Sequence, residues 1–257
     1  MSRKILWINP IGTTHYDRPL QEWLDASKEP ETDVKVISLP RGPHHLEYYY
    51  YDALILVDVL HAVRRAEQDG FDAAIIGCFY DPGLREAREI SERMAVTALE
   101  EASLLTAAAL GRLFSIVVGR KKFIPKMEEN VVHYGLHDRL ASFESLEMGV
   151  EDFQRNKKKT ARRIKIAGEK AIREHLAEVL ILGCGFQFGF YLELQKELGI
   201  PVIDPVIAAL KQTELLVNLR QKFGWGHSKV YEYESPRREE IAHWRLADQY
   251  EGMKGTW

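Results

Sequence analysis

Apolar positions along the chain follow two alternating patterns. Short, nearly continuous runs rich in β-branched residues, "KILWINP", "VKVISLP", "AAIIG", "FSIVVG", "LASFESL", "EVLILG" and "IPVIDP", are separated by longer amphipathic stretches such as Asp52 to Gln68. A continuous apolar run suits a strand buried on both faces, as in a parallel sheet covered by helices, whereas a half-wet antiparallel strand would alternate. The pattern predicts an α/β fold.

A second regularity runs through the first. The stretch "AAIIGCFYDPGLREARE" at residues 73–89 has a relative, "EVLILGCGFQFGFYLEL", at residues 178–194. In each, an apolar run ends in Gly-Cys and a further Gly follows after four residues. Displacing the chain by the 106 residues between Cys78 and Cys184 also lays the strand at 34–40 on that at 140–146 and the helix at 52–69 on that at 158–175, with the first strands overlapping within a few residues. An internal duplication with little side-chain identity between the halves is the simplest account, and it predicts two similar lobes.

Composition narrows the class without deciding it. With 257 residues, 46% of them hydrophobic and 28% charged, the chain can bury one large core or two modest ones. A formal net charge of -3 gives no bias toward nucleic acid or anionic lipid. The basic run "RNKKKTARRIK" at 155–165 lies in a long helical pattern with acidic neighbours and reads as a solvated face. No apolar run approaches the ~18 residues of a membrane span, and "MSRKILWINP" enters a strand-like segment without the features of a signal peptide. Neither nucleic acid nor membrane is therefore expected as a partner, and a cytoplasmic location is expected. Thiols stay reduced there, so the two cysteines point to chemistry or burial rather than to a disulfide.

Both cysteines directly follow predicted strands. In open α/β sheets ligands sit outside the carboxyl ends of the strands, and a helix start there would offer backbone N–H donors and a positive dipole end that favour thiolate over thiol. A single such cysteine reads more simply as a small hydrophobe capping a buried strand. Two in matched frames instead suggest a pair of thiols aimed at one ligand, the geometry for moving a proton from one face of a carbon to the other.

The segments "IIGCFYDPGLREARE", "EEASLLTAAALGRLFSIVV", "LILGCG" and "LGIPVIDPVIAALK" resemble the aspartate/glutamate/hydantoin racemase superfamily, nearest its hydantoin and allantoin racemase branch, from "INP" at 8–10 to about Lys211. The resemblance implies two pseudo-symmetric α/β lobes with the active site in the cleft between them: a first of residues 1–97 plus a returning segment 207–257, and a second of residues 98–206. It implies cofactor-independent proton transfer by Cys78 and Cys184, with no metal, on a small-molecule substrate, a hydantoin-like ring foremost. A homo-oligomer is expected. Asn9 and Thr13 fall on the family's substrate-anchoring segment, and Glu101 on an acidic position at the lobe junction. Gly77, Phe79, Tyr80, Gly183, Gly185 and Phe186 flank the two cysteines as expected substrate contacts. The chain departs from the family where an Asn is replaced by Ile11, where Ala-Gly-Met is replaced by Gly185, Phe186 and Gln187, and where Tyr80 takes the place of an Asp. The aromatic residues hint at a substrate with a flat or apolar face.

Other readings compete. Decarboxylation or cis–trans isomerisation on the same fold needs only one essential thiol, and a two-lobed sensor needs none. Gly183, Gly185 and Gly189, with Asp204 further on, mimic a dinucleotide fingerprint, but Phe186 and Phe188 would crowd a pyrophosphate. His44, His45 and Glu47 offer metal-ligating groups, yet adjacent loop histidines project differently and a solvated turn fits them better.

Overall fold

The structure, a computed structural model, describes residues 2–254. The chain forms two compact units. The first comprises the residues as far as Ile76, Pro82–Thr97 and the chain from Leu210 on; the second comprises Gly77–Asp81 and Ala98–Ala209.

In the first unit β1 (Arg3–Asn9), α1 (Asp17–Ser27), β2 (Thr32–Ser38), α2 (Tyr49–Gln68), β3 (Ala73–Ile76), α3 (Leu84–Ile90) and β4 (Ala95–Ala98) follow one another. The sheet order is β2-β1-β3-β4, with β1 parallel to both β2 and β3. Ile5, Trp7 and Ile8 of β1 and all four residues of β3 are buried, as continuous apolar runs in a covered sheet require.

The second unit continues with α4 (Leu99–Leu110), β5 (Phe114–Val118), α5 (Ile124–His133), β6 (Leu140–Ser145), α6 (Asp152–Arg155), α7 (Lys157–His175), β7 (Val179–Leu182), α8 (Tyr191–Leu198) and β8 (Val202–Ile203). Its sheet has the order β6-β5-β7-β8, and β5 is parallel to β6 and β7. The two orders are the same topology repeated. The 106-residue displacement carries β3 onto β7 residue for residue and α2 onto α7 within two residues. Parallel sheets flanked by helices are thus the fold, as the alternating pattern predicts.

The strand that the pattern does not reveal is β4, because "AVTA" runs into "LEEASLLTAAAL", whose Ala, Leu and Glu are strong helix formers. Burial of all four of its residues at the end of the sheet outweighs that local preference.

From α9 (Pro205–Phe223), which begins in the second unit and continues in the first, the chain goes on to α10 (Arg238–His243) and α11 (Leu246–Gln249). Its path is pinned to α3 and β4 of its own unit. The Lys229 ammonium donates to the carbonyls of Arg88 and Glu89 at the C-terminal end of α3, where helix carbonyls lack partners and a cation meets the negative dipole end. The Ser235 hydroxyl donates to the Glu89 carbonyl, and His227 Nε2 accepts the Val96 N–H. Among the described residues no helix is long and apolar enough to cross a membrane.

Asp204 has a different role from the ribose-binding acid of a dinucleotide fold. Its Oδ1 accepts the N–H of Val206 at 3.0 Å and of Ile207 at 3.4 Å, capping α9 with Pro205 at the first helical position. Its Oδ2 accepts the N–H of Gly189 at 2.8 Å. Both oxygens are thereby engaged by the backbone, and the glycine fingerprint lacks its acid. Replacing Asp204 by Ala should cost about 1–2 kcal/mol, as for a lost cap, seen as a lower urea midpoint at unchanged slope; an unchanged midpoint would show that the cap contributes nothing.

Candidate active site

Cys78 lies two residues beyond the end of β3, in the short segment Gly77–Asp81 that belongs to the second unit. The helix start expected there is absent. The Asp81 N–H donates to the Cys78 carbonyl at 3.2 Å, closing a turn, and α3 begins only at Leu84. Asp81 has φ 49° and Gly83 φ 73°; these left-handed residues keep the segment between Cys78 and Leu84 out of a right-handed helix. Cys184 does head a helical turn, but only a single 3-10 turn, Gly185–Gln187, closed by the Gln187 N–H on the Cys184 carbonyl at 2.9 Å.

The second unit brings the two Gly-Cys turns together. A Cβ on Gly185 would come within 3.4 Å of the Gly77 carbonyl oxygen and 3.1 Å of Leu99 Cδ2. The residue after one cysteine therefore lies against the residue before the other. A Cβ on Gly183 would come within 2.7 Å of the Val117 carbonyl oxygen, which accepts the Gly183 N–H at 2.8 Å; only a glycine lets the backbones approach so closely. Neither cysteine is in a disulfide and both are half-buried, Cys184 packing against the core of the second unit.

The flanking aromatic residues divide by environment. Phe79 is 2% exposed and belongs to the core. Tyr80 is half-buried and stacks on Phe123, with ring centroids 4.5 Å apart and planes 19° apart, and the Lys126 ammonium lies 5.4 Å from its centroid. Phe186 is half-buried against the core of the second unit. Gln154 holds that turn by donating to the carbonyls of Phe186 at 2.9 Å and Phe188 at 3.3 Å.

Asn9 and Thr13 belong to the first unit. Asn9 ends β1, is buried, and is built into the scaffold: its Oδ1 accepts the Trp7 indole N–H at 2.9 Å and its Nδ2 donates to Asp17 at 2.8 Å. The Thr13 hydroxyl accepts the His15 N–H at 3.3 Å.

Behind the Cys78 turn is a buried cluster that includes Glu100, a residue that sequence patterning does not single out. Of the adjacent pair Glu100 and Glu101, it is Glu100 whose carboxyl is fully buried. Glu101 contributes its backbone: the N–H groups of Glu100 and Glu101 donate to Asp81 Oδ1 and Oδ2, each at 2.8 Å, and the Tyr134 hydroxyl donates to Oδ2 at 2.8 Å. Asp81 thus caps α4, whose preceding residue Ala98 has no side chain to do so. Burial pushes the Asp81 carboxyl up to about 7 against the opposing pull of the Glu101, Glu100 and Tyr134 donors. Burial, reinforced by nearby Asp81, holds Glu100 well above the ordinary carboxyl range, opposed by the Asn130 hydrogen bond and the charge of Lys126.

Residues 5–213 match the family description Asp/Glu/Hydantoin racemase. A hydantoin racemase of Pseudomonas sp. (strain NS671) is 32% identical over 92% of this chain and 93% of its own. The chain belongs to the Asp/Glu/Hydantoin racemase family. Among solved structures, allantoin racemase from Klebsiella pneumoniae aligns with TM-score 0.86 at 27% identity, covering 92% of this chain and 95% of that one. Allantoin racemase from Pseudomonas fluorescens aligns with TM-score 0.85 at 29% identity, covering 91% and 97%. The chain is accordingly an isomerase, a racemase acting on a small molecule, and its fold is the two-lobed α/β fold of the family.

With both buried carboxyls raised above their unfolded values of about 4, the native state binds more protons than the unfolded one across the interval from pH 4 to about 7, so stability should fall as pH rises through it. Glu100→Gln removes one of the two groups. Its melting temperature should match wild type near pH 4 and exceed it at pH 8; a deficit of equal size at both pH values would mean that Glu100 is not held protonated.

Proposed function

We propose that this racemase inverts a carbon next to a carbonyl, in a hydantoin-like ring, using Cys78 and Cys184 as acid and base without a cofactor. The observation that supports the proposal is the approach of Gly185 to the Gly77 carbonyl, which sets the two half-buried cysteines, neither of them in a disulfide, on adjoining turns. A proton next to a carbonyl is only weakly acidic, so one cysteine starts as thiolate and takes it. The electron pair left behind delocalises onto the carbonyl oxygen as an enolate, which needs preorganised donors; backbone N–H groups of the two turns are assigned that part. The other cysteine starts as thiol and returns a proton to the opposite face. The two enantiomers then differ only in which cysteine begins as base.

The substrate assignment leans on the hydantoin and allantoin racemases that the chain resembles along nearly all its length. Tyr80 and Phe186, half-buried beside the two cysteines, suit the flat face of a five-membered ring. Asn9, at the end of β1, and Thr13, in the loop that follows, are kept as substrate-anchoring groups on the family resemblance.

Given one enantiomer of a substituted hydantoin in deuterated water, the protein should release the other with deuterium at the inverted carbon, because the delivering thiol exchanges with solvent first. Cys78→Ala and Cys184→Ala should each lower inversion by roughly 10²–10⁴, the usual worth of general acid–base transfer. The two variants should retain slow exchange of opposite enantiomers. Near-normal inversion by Cys78→Ala would overturn the two-base mechanism and leave a reaction centred on Cys184, such as decarboxylation, as the better account.

A further inference from the structure

The two cysteine turns are equivalent by duplication, yet their supports differ. On the Cys184 side the turn is held through backbone carbonyls by Gln154 and through the Gly189 N–H by Asp204. On the Cys78 side it is held by side chains buried in the second unit. Asp81, three residues past the cysteine, is fixed by three donors from α4 and from Tyr134, just past α5. The Asn130 amide of α5 donates to two acceptors at once, the Tyr80 carbonyl at 3.1 Å and Glu100 Oε2 at 2.6 Å. The Tyr80 ring is meanwhile stacked on Phe123, with the Lys126 ammonium 5.4 Å from its centroid.

Glu100 is the unusual member. It is 0% exposed, its Oε2 meets Asn130, and its Oε1 is buried with no hydrogen-bond partner. A buried carboxyl beside a second carboxyl is expensive to keep, and a leucine of similar size would fill the space at lower cost. What the carboxyl does that leucine cannot is accept from Asn130 and so orient the amide whose other contact is the carbonyl two residues from Cys78.

We propose that Glu100 and Asn130 are positioning residues for Cys78: the Glu100 carboxyl aims the Asn130 amide at the Tyr80 carbonyl, and this bond, with Asp81 on the N-terminus of α4, fixes the direction of the Cys78 thiol. The consequence for catalysis rests on the two-thiol reading above. A misplacement of about 1 Å at a reacting group can cost 10²-fold, so a shift of this turn should be felt in turnover while substrate affinity is largely kept. The Cys184 turn shares none of these hydrogen bonds and should be unaffected.

The test compares Glu100→Leu, Glu100→Gln and Asn130→Ala with wild type. It reads racemisation of a substituted hydantoin and, separately, the alkylation rate of each cysteine by iodoacetamide, resolved by peptide mass spectrometry. Glu100→Leu and Asn130→Ala should lower kcat by roughly tenfold or more with KM within about threefold, and should alter Cys78 alkylation while leaving that of Cys184 as in wild type. Glu100→Gln, which keeps the acceptor for Asn130, should restore most of kcat and the wild-type Cys78 rate. Unchanged Cys78 alkylation in Glu100→Leu and Asn130→Ala, equal changes at both cysteines, or a Glu100→Gln variant as impaired as Glu100→Leu would each overturn the proposal. Alkylation does not depend on the reaction catalysed. A failure of the two-thiol mechanism would therefore show in turnover of the cysteine variants and leave the labelling result standing.

Discussion

The site depends on one close approach of main chain to main chain. At the ends of β3 and β7 the chain turns sharply; the turns meet where Gly185 lies against the Gly77 carbonyl, and the Cys184 turn can sit there because Gly183 puts no side chain against the Val117 carbonyl of β5. Any Cβ at Gly183 would collide with a backbone atom that is itself fixed in a parallel strand. Strand position thus dictates turn position, and turn position dictates where a cysteine in the Gly-Cys frame can go. The buried strands supply the rigidity, since a packed core of Val179, Leu180, Ile181 and Leu182 leaves no room for the turn to retreat.

Much of this was legible from the residues. Unbroken β-branched runs mark the buried parallel strands, and the 106-residue repeat foretells two sheets of like order, because a duplicated pattern of burial must fold alike twice. The illegible parts share a physical cause: local pattern competes with tertiary placement. The strand β4 is too short, and its neighbours too helix-prone, to stand out from α4. Helical spacing alone does not show that Glu100 faces inward; its burial follows only once α4 has been capped by Asp81 and set against α5. The acid of "PVIDP" reads equally as a ribose ligand or a helix cap, and the following proline, fit for the first helical position, was the available sign of the cap.

The helix expected immediately after Cys78 is instructive in the same way. Asp-Pro-Gly is turn chemistry, and the left-handed residues at Asp81 and Gly83 place a full turn between the cysteine and α3. The same interruption that removes a helix terminus from Cys78 sends the Asp81 carboxylate onto the first N–H groups of α4. One departure from regular geometry on this side is thereby tied to the start of another element.

The unlike supports of the two turns bear on energetics in solution. Enantiomers of a compound with a single stereocentre have equal free energies in water, so a racemase acting on such a compound must have equal kcat/KM for its forward and reverse directions, however differently its two halves have diverged. Unequal scaffolding behind Cys78 and Cys184 therefore cannot favour one product at equilibrium. It can only redistribute each direction's efficiency between tightness of binding and speed of turnover, which leaves a duplicated chain free to lose its internal symmetry while the reaction it serves keeps its own.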